Sequence, residues 1–424
     1  VDFGDGSGIA LPDGDNSLCT GKDTIRHQYD RPGTYTLVMH VRDVLGRDGQ
    51  ARLTVTVGDA YLPVSPAPVR VYAKRVPAHG TVTLTAKDLR ADGGDDAALL
   101  DVTVTAAQRA GAVAVVPRGR SATGRSNVRF TAGRPATGLV RAVPSGGRVS
   151  LVNASAGAIT LTVDVVGVVN HEVVGQAYVP LPATAVLDTR AGVGAPKAPL
   201  GSRRELALRL AGVPGDATSV ALDVSASRAT AAGALAVHMY GTARPRTPQL
   251  VWTKGQPAAN LVVVPVRSGR VLLGATGAGT VDVAATVVGY YRGAGRGSFF
   301  VPTAPQRLVD TAAGVGVRRG ARLQPGQALR VQLAGRSGRP ATGITAADLT
   351  VTASGGRAGS VVTFASDGTA ASAPSVAFGP GAPGSRLLTV PTGADGAVVL
   401  VNQGPVPVDL VVDLDGYYVV GPGA

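Results

Sequence analysis

The 424-residue chain is predicted to be all-β: a short N-terminal sandwich module followed by three tandem antiparallel β-sandwich repeats of jelly-roll type. Three observations predict this. First, one set of marks recurs. Tyr178-Val-Pro, Val186-Leu-Asp-Thr-Arg190 and Val287-Val-Gly-Tyr-Tyr291 return as Phe300-Val-Pro, Leu308-Val-Asp-Thr311 and Asp413-Leu-Asp-Gly-Tyr-Tyr418, and a weaker copy runs from Tyr61-Leu-Pro to Asp164-Val-Val-Gly-Val-Val169. Second, Gly and Pro cut the chain into blocks of roughly five to eight residues that alternate apolar with polar or small side chains, the period of a half-buried strand. Third, the apolar content is Val, Ala and Leu with few aromatics, while 58 Gly and 29 Pro supply turns. Long Ala/Glu/Lys-rich stretches, which would mark helices, are absent.

The expected modules are residues 1–59, 60–170, 178–292 and 299–420. In the first, Thr34 to Val41 and Arg52 to Val57 alternate as strands do, and Asp30-Arg-Pro-Gly33 supplies turn chemistry. Val1-Asp-Phe-Gly-Asp-Gly6, His27-Gln-Tyr29, Pro32-Gly-Thr-Tyr-Thr-Leu37, Val41-Arg-Asp43 and Leu53-Thr-Val-Thr-Val57 follow in an order that resembles the PKD domain. The resemblance implies a partial immunoglobulin-like sandwich of the kind found in secreted and surface proteins. Val1 stands where that family usually has tryptophan, and the strands that normally precede the motif are missing. Half a sandwich exposes a strand edge and part of a core, so an upstream segment or another chain is expected to complete it. Gly58-Asp-Ala60 leaves little room for a linker, which sets the first repeat close against this module.

Within the repeats, Asp101-Val-Thr-Val-Thr105 matches Asp223-Val-Ser-Ala-Ser227 and Asp348-Leu-Thr-Val-Thr352. Gly111 to Val115 matches Gly233 to Val237 and Gly359 to Thr363, and the segments ending at Pro144, Pro265 and Pro391 match one another. This gives about eight strands per unit, which a jelly-roll sandwich accommodates. The best helix candidate, Ala341 to Asp348, is too short to stand alone. Asn170 to Ala177 and Arg292 to Ser298 are the connectors, and the Gly-rich second is expected to be the more mobile. Leu187-Asp-Thr-Arg190, Asn260-Leu-Val-Val-Val-Pro265 and the Val-Val-Gly-Tyr-Tyr ending resemble a repeat of secreted and cell-wall-associated actinobacterial proteins. There it accompanies PKD domains, hydrolases or surface stalks, which implies an extracellular, secreted or cell-wall-associated location. The third copy has Ala312 in place of the arginine, and the first has Val71-Tyr-Ala73 in place of Asp-Thr-Arg.

Comparing copies separates scaffold from site. Phe130, Trp252 and Phe378 hold one strand position beside Val128, Leu250 and Val376, so core packing is expected in preference to an exposed sugar-stacking platform. The strands at Asp101, Asp223 and Asp348 carry Asp and hydroxyls on one face and Val or Leu on the other. That polar face reads as the solvated outside of a sandwich, or more sharply as a ladder for a polysaccharide. Asp188, Thr189 and Arg190, with Asp310 and Thr311, are the candidate ligand-binding residues. A carboxylate beside a hydroxyl and a guanidinium could hold a glycan or an acidic group. The alternative is that Asp caps a turn and Arg190 pairs within the module.

Other chemistry is weakly marked. Asp13-Gly-Asp-Asn-Ser17 has alternating oxygen ligands, but Leu18 takes the place of the obligatory EF-hand Gly, so no metal is expected. Gly379-Pro-Gly-Ala-Pro-Gly384 fits G-x-G-x-x-G without the strand-helix context that gives the motif meaning. His27, His40, His79, His171 and His238 lie at unrelated positions, Cys19 lacks a partner, and no carboxylate pair recurs as a glycosidase acid and base would. No catalytic residue and no cofactor is expected. The formal charge of +13 comes chiefly from scattered arginines. With no polybasic run, nucleic acid is not an expected partner, and a cell-wall polymer or surface glycan is. No apolar run reaches the ~20 residues of a membrane helix. The expected role is a non-catalytic extracellular structural or adhesive segment, with a glycan- or cell-wall-binding appendage of a secreted hydrolase as the alternative.

Overall fold

The computed structural model describes residues 1–9, 25, 27, 29, 33–42, 45–91, 97–170, 175–293, 297–370 and 375–420. Nearly all of its regular structure is strand. At the N-terminus, β1 (Gly33–Arg42) and β2 (Asp48–Val57) form an antiparallel hairpin. Opposed residues in such a pair project to the same face, so Leu37, Met39 and Val41 share one face with Leu53 and Ala51. Phe3 is buried and stacks on His27 at 4.0 Å, Tyr29 stacks on Tyr35 at 4.1 Å, and the Tyr29 hydroxyl donates to the Phe3 carbonyl. Met39, Val41 and Leu53 stay exposed, by 44%, 52% and 60%. The hairpin is therefore amphipathic with part of its apolar face open.

The first repeat contains β3 (Ala60–Pro63), β4 (Val69–Val76), β5 (Thr81–Thr85), a one-turn helix α1 (Ala86–Leu89), β6 (Ala97–Thr105), β7 (Gly111–Pro117), β8 (Val128–Phe130), β9 (Ala136–Ala142), β10 (Arg148–Asn153) and β11 (Ile159–Asn170). The second contains β12 (Gln176–Asp188), β13 (Leu200–Gly201), β14 (Glu205–Arg209), β15 (Ala217–Ser227), β16 (Gly233–Met239), β17 (Leu250–Trp252), β18 (Ala258–Pro265), β19 (Arg270–Gly277) and β20 (Thr280–Gly293). The third contains β21 (Ser298–Asp310), β22 (Ala328–Gln332), β23 (Ile344–Gly355), β24 (Gly359–Ala365), β25 (Val376–Phe378), β26 (Gly384–Pro391), β27 (Ala397–Asn402) and β28 (Val408–Val420). In the third repeat one sheet runs β21-β28-β23-β26 and the other β22-β27-β24-β25, all antiparallel. Numbered within the unit, that is 1-8-3-6 over 2-7-4-5, the strand order of a jelly roll. The other two repeats follow it: in the first the opening strand is split into β3 and β4, both paired with β11, and in the second the two-residue β13 is added beside β20.

Each sandwich encloses its own core, built from the inward residues of both sheets. Phe130, Trp252 and Phe378 lie in these three cores, 5%, 5% and 6% exposed, and the Trp252 indole N–H donates to the Ala231 carbonyl. A fourth core is shared. It gathers Tyr61, Tyr178, Phe300, Tyr291 and Tyr418 with Leu139, Leu261 and Leu387 from the backs of the 1-8-3-6 sheets. The edge strands β9, β18 and β26 touch one another pairwise there, and β12 bridges β3 and β21 while Asp59 exchanges backbone hydrogen bonds with Phe300. The three repeats thus close into a ring about a pseudo-three-fold axis.

Two expectations change. The polar face at Asp101, Asp223 and Asp348 is neither a solvated exterior nor an open ladder: it packs between repeats, with Asp101 and Asp348 2% and 0% exposed. A sheet whose outer face carries enough aromatic surface can be covered on both sides, and the tyrosines supply that surface. Residues 344–348 of the helix candidate belong to β23, which is flanked by β26 and β28, so ladder pairing on both edges overrides a weak local preference. The Gly-rich part of the second connector, residues 294–296, lies outside the described residues, as do 171–174 of the first.

Candidate functional site

The Asp-Thr-Arg block sits where β12 leaves its sheet. The Asp188 backbone exchanges hydrogen bonds with Val193, and its carboxylate accepts from the Arg190 N–H at 2.8 Å and from the Arg190 guanidinium at 3.2 Å. That guanidinium holds the Asp188 carboxyl below the usual carboxylate range. Thr189 turns inward. Its hydroxyl accepts from the Val283 N–H at 3.0 Å and donates to Asp282, whose carboxylate pairs with Arg228 at 2.6 Å. Gly194 follows at φ 67°, and a Cβ there would meet the Val186 carbonyl oxygen at 2.0 Å, so the turn admits only glycine.

The third repeat rebuilds the same turn from different parts. Asp310 exchanges backbone bonds with Val315, and Thr311 ties to the backbone of Leu410 by both its N–H and its hydroxyl. Ala312 offers no guanidinium, but Arg307 approaches from the strand side and binds Asp310 at 2.7 Å and Asp413 at 2.7 Å. The first repeat places Arg70 on Asp164 at 2.9 Å, across the same strand pair. All five candidate residues therefore have partners inside their own repeat, and in the second and third repeats the turn staples the first strand to the last. Arg190 alone keeps a half-exposed head, 52% of its side chain.

A second polar constellation lies between repeats. Arg141 of β9 donates to Asp348 at 2.6 Å and to the Tyr418 hydroxyl at 3.0 Å, and its guanidinium covers the Phe300 ring at 4.1 Å. Asn260 of β18 donates to Asp101 at 3.1 Å, and Arg386 of β26 binds Asp223. Each repeat thus sends a donor to the carboxylate of the next, first to third, third to second and second to first, which is a head-to-tail contact that closes. Burial raises the carboxyls of Asp101 and Asp223, and Asp101 is raised further by Asp164. Near the first–third contact, Asp415 is buried with one oxygen lacking a partner, and burial pushes its carboxyl up to about 7. Sequence comparison missed Arg141, Asn260 and Arg386 because the donors share neither type nor place: two are arginines and one an asparagine, and Asp348 lies opposite the closing Gly416 of its repeat where Asp101 and Asp223 lie opposite Asp164 and Thr286.

Elsewhere, Gly379 and Ala382 exchange backbone bonds in a turn between β25 and β26, so the glycine-rich stretch forms no phosphate-cradling helix. His238 is buried and lies 3.3 Å from Glu205. Asp13 to Ser17, Cys19 and His171 lie outside the described residues. Among the described residues no group of three or more His, Cys, Asp or Glu side chains is placed to hold a metal, and no helix is long and apolar enough to cross a membrane.

No protein-family model and no curated protein sequence matches the chain. Among solved structures, an archaeal virus protein described as a triple jelly roll fold is 10% identical, with 92% of this chain and 90% of that one covered at a TM-score of 0.17. A protein of Sulfolobus turreted icosahedral virus is 11% identical, covering 92% and 91% at 0.16. Dimeric latent PorU of Porphyromonas gingivalis is 12% identical, covering 85% of this chain and 33% of that one at 0.19. Overlaps this loose convey no function.

Proposed function

We propose that the chain is a non-catalytic structural or adhesive segment of a secreted or cell-surface protein. The observation that carries this reading is that the recurring polar residues are consumed by architecture: Asp188, Thr189, Asp310 and Thr311 fasten turns, and Asp101, Asp223 and Asp348 fasten repeat to repeat. The open apolar face at Met39, Val41 and Leu53 supports a contact with a further segment or polypeptide that completes the PKD-like sandwich. The second reading, a glycan- or cell-wall-binding appendage, draws support from the charge of +13. One sedimentation experiment with purified Gram-positive walls and insoluble glycans tests both. Protein left in the supernatant supports a spacer, retention in the pellet supports the appendage, and soluble wall fragments above a protein-free control would overturn the non-catalytic assignment.

A further inference from the structure

Residues 175–293 hold twelve Lys and Arg against five Asp and Glu, and so carry +7 of the chain's +13. All five carboxylates are engaged: Asp188 with Arg190, Glu205 with Arg244, Asp216 with Arg292, Asp223 with Arg386 and Asp282 with Arg228. Where β14 meets β19, Arg209 stands directly opposite Arg270 in the strand register, and Arg267 opens the turn before β19. Like charges placed directly opposite destabilise a strand pair. None of the three has a carboxylate partner among the described residues. Arg209 and Arg270 border a surface pocket of about 460 Å³, lined also by Ser268, Gly269 and the turn residues Leu210 to Val213 and Gly215.

The sister copies set no pair of cations opposite each other at the same place. In the first repeat Thr85 faces Arg148, and Asp88 caps the adjoining turn; in the third Gln332 faces Ala397, and Asp395 pairs with Arg330. Two more features set the second repeat apart. Arg270 lies over the Tyr240 ring at 5.4 Å, which limits where its guanidinium points. The turn residues Ser268 and Gly269 both have positive φ, 53° and 64°, where the first repeat has Gly146 and Gly147. A serine in that region is strained relative to glycine, and it brings a hydroxyl to the pocket wall.

We propose that this pocket binds a phosphate group, held by the Arg209 and Arg270 guanidiniums with the Ser268 hydroxyl as a third donor. Paired guanidiniums match a tetrahedral oxyanion through forked hydrogen bonds, and the bound charge relieves the cross-strand repulsion. The site stands whether the chain is a spacer or an appendage, so its failure leaves that choice untouched. Calorimetric titration of the whole chain with inorganic phosphate, and separately with a glycerol-phosphate oligomer, tests it at low salt. Saturable binding of either is expected, weakened tenfold or more in Arg209→Gln/Arg270→Gln and unchanged in Arg318→Gln/Arg319→Gln, which removes two exposed arginines of the third repeat. Binding of the oligomer alone identifies a polymer as the source, and binding of both identifies a free or terminal phosphate. Absence of binding, or equal weakening in both variants, would overturn the proposal.

Discussion

The glycine of the Val-Val-Gly-Tyr-Tyr ending shows what one atom decides here. A Cβ on Gly289 would lie 2.2 Å from the Tyr178 hydroxyl oxygen, and one on Gly416 would lie 2.1 Å from the Phe300 ring. Gly167 stands in the same relation to Tyr61. The aromatic that opens each repeat therefore lies flat on the glycine that closes it, which links two marks more than a hundred residues apart in the chain. Replacing Gly289 by Ala must displace Tyr178 from the shared core, and overpacking of this kind costs about 1–3 kcal/mol. Chemical denaturation of Gly289→Ala should show a loss in that range, whereas Gly212→Ala, whose Cβ would meet nothing within 4 Å but which has φ 78°, should lose less. An equal loss in both would mean that the ring contact adds nothing. Both marks were visible in the sequence; their contact was not, because spacing along a chain says nothing about which ends meet.

At the scale of elements, the three edge strands β9, β18 and β26 do unlike work with like geometry. Strand periodicity placed the Asp of β6, β15 and β23 opposite the Val and Leu of each core, and those apolar residues are where alternation put them. What faced the Asp was illegible, since the partners are Asn260, Arg141 and Arg386 and no pattern joins them. The Arg141 to Asp348 pair is the most enclosed, with side chains 1% and 0% exposed. Removing one member strands a buried charge, at a cost of about 3–5 kcal/mol, while replacing both by apolar groups is often nearly neutral. Thr389 also donates to Asp348, and Arg141 also donates to Tyr418, so each would keep one partner. Arg141→Leu alone should therefore be markedly destabilised, and Arg141→Leu/Asp348→Leu should recover a large part of the loss. A double variant as unstable as the sum of the singles would show the two groups acting independently.

Across the whole molecule, carboxylates fall into two populations set by the ring. Those on turns, such as Asp188 and Asp88, are lowered by hydrogen bonds from Arg190 and Thr85. Those between or beneath repeats, Asp101, Asp164, Asp223 and Asp415, are raised by burial. The two act on stability in opposite directions. A lowered carboxyl favours the folded state above the unfolded carboxyl range near 3.8 and loses that contribution as pH falls through its folded value. A raised one does the reverse: between about 4 and 7 the folded chain keeps a proton on Asp415 that the unfolded chain has released, so stability declines as pH rises and the loss is complete above about 7. Asp413 and Asp348 add to the repulsion, Arg125 opposes it, and the Thr350 hydroxyl donates to Asp415 at 2.5 Å. The chain should therefore be most stable in mildly acidic solution. Asp415→Asn keeps the shape and an acceptor for Thr350 while removing the ionisation, so its unfolding free energy should match the wild type near pH 4 and exceed it at pH 8 by up to about 4 kcal/mol, with a higher melting temperature there. Parallel pH profiles for the two proteins would place the titration elsewhere among the buried carboxylates.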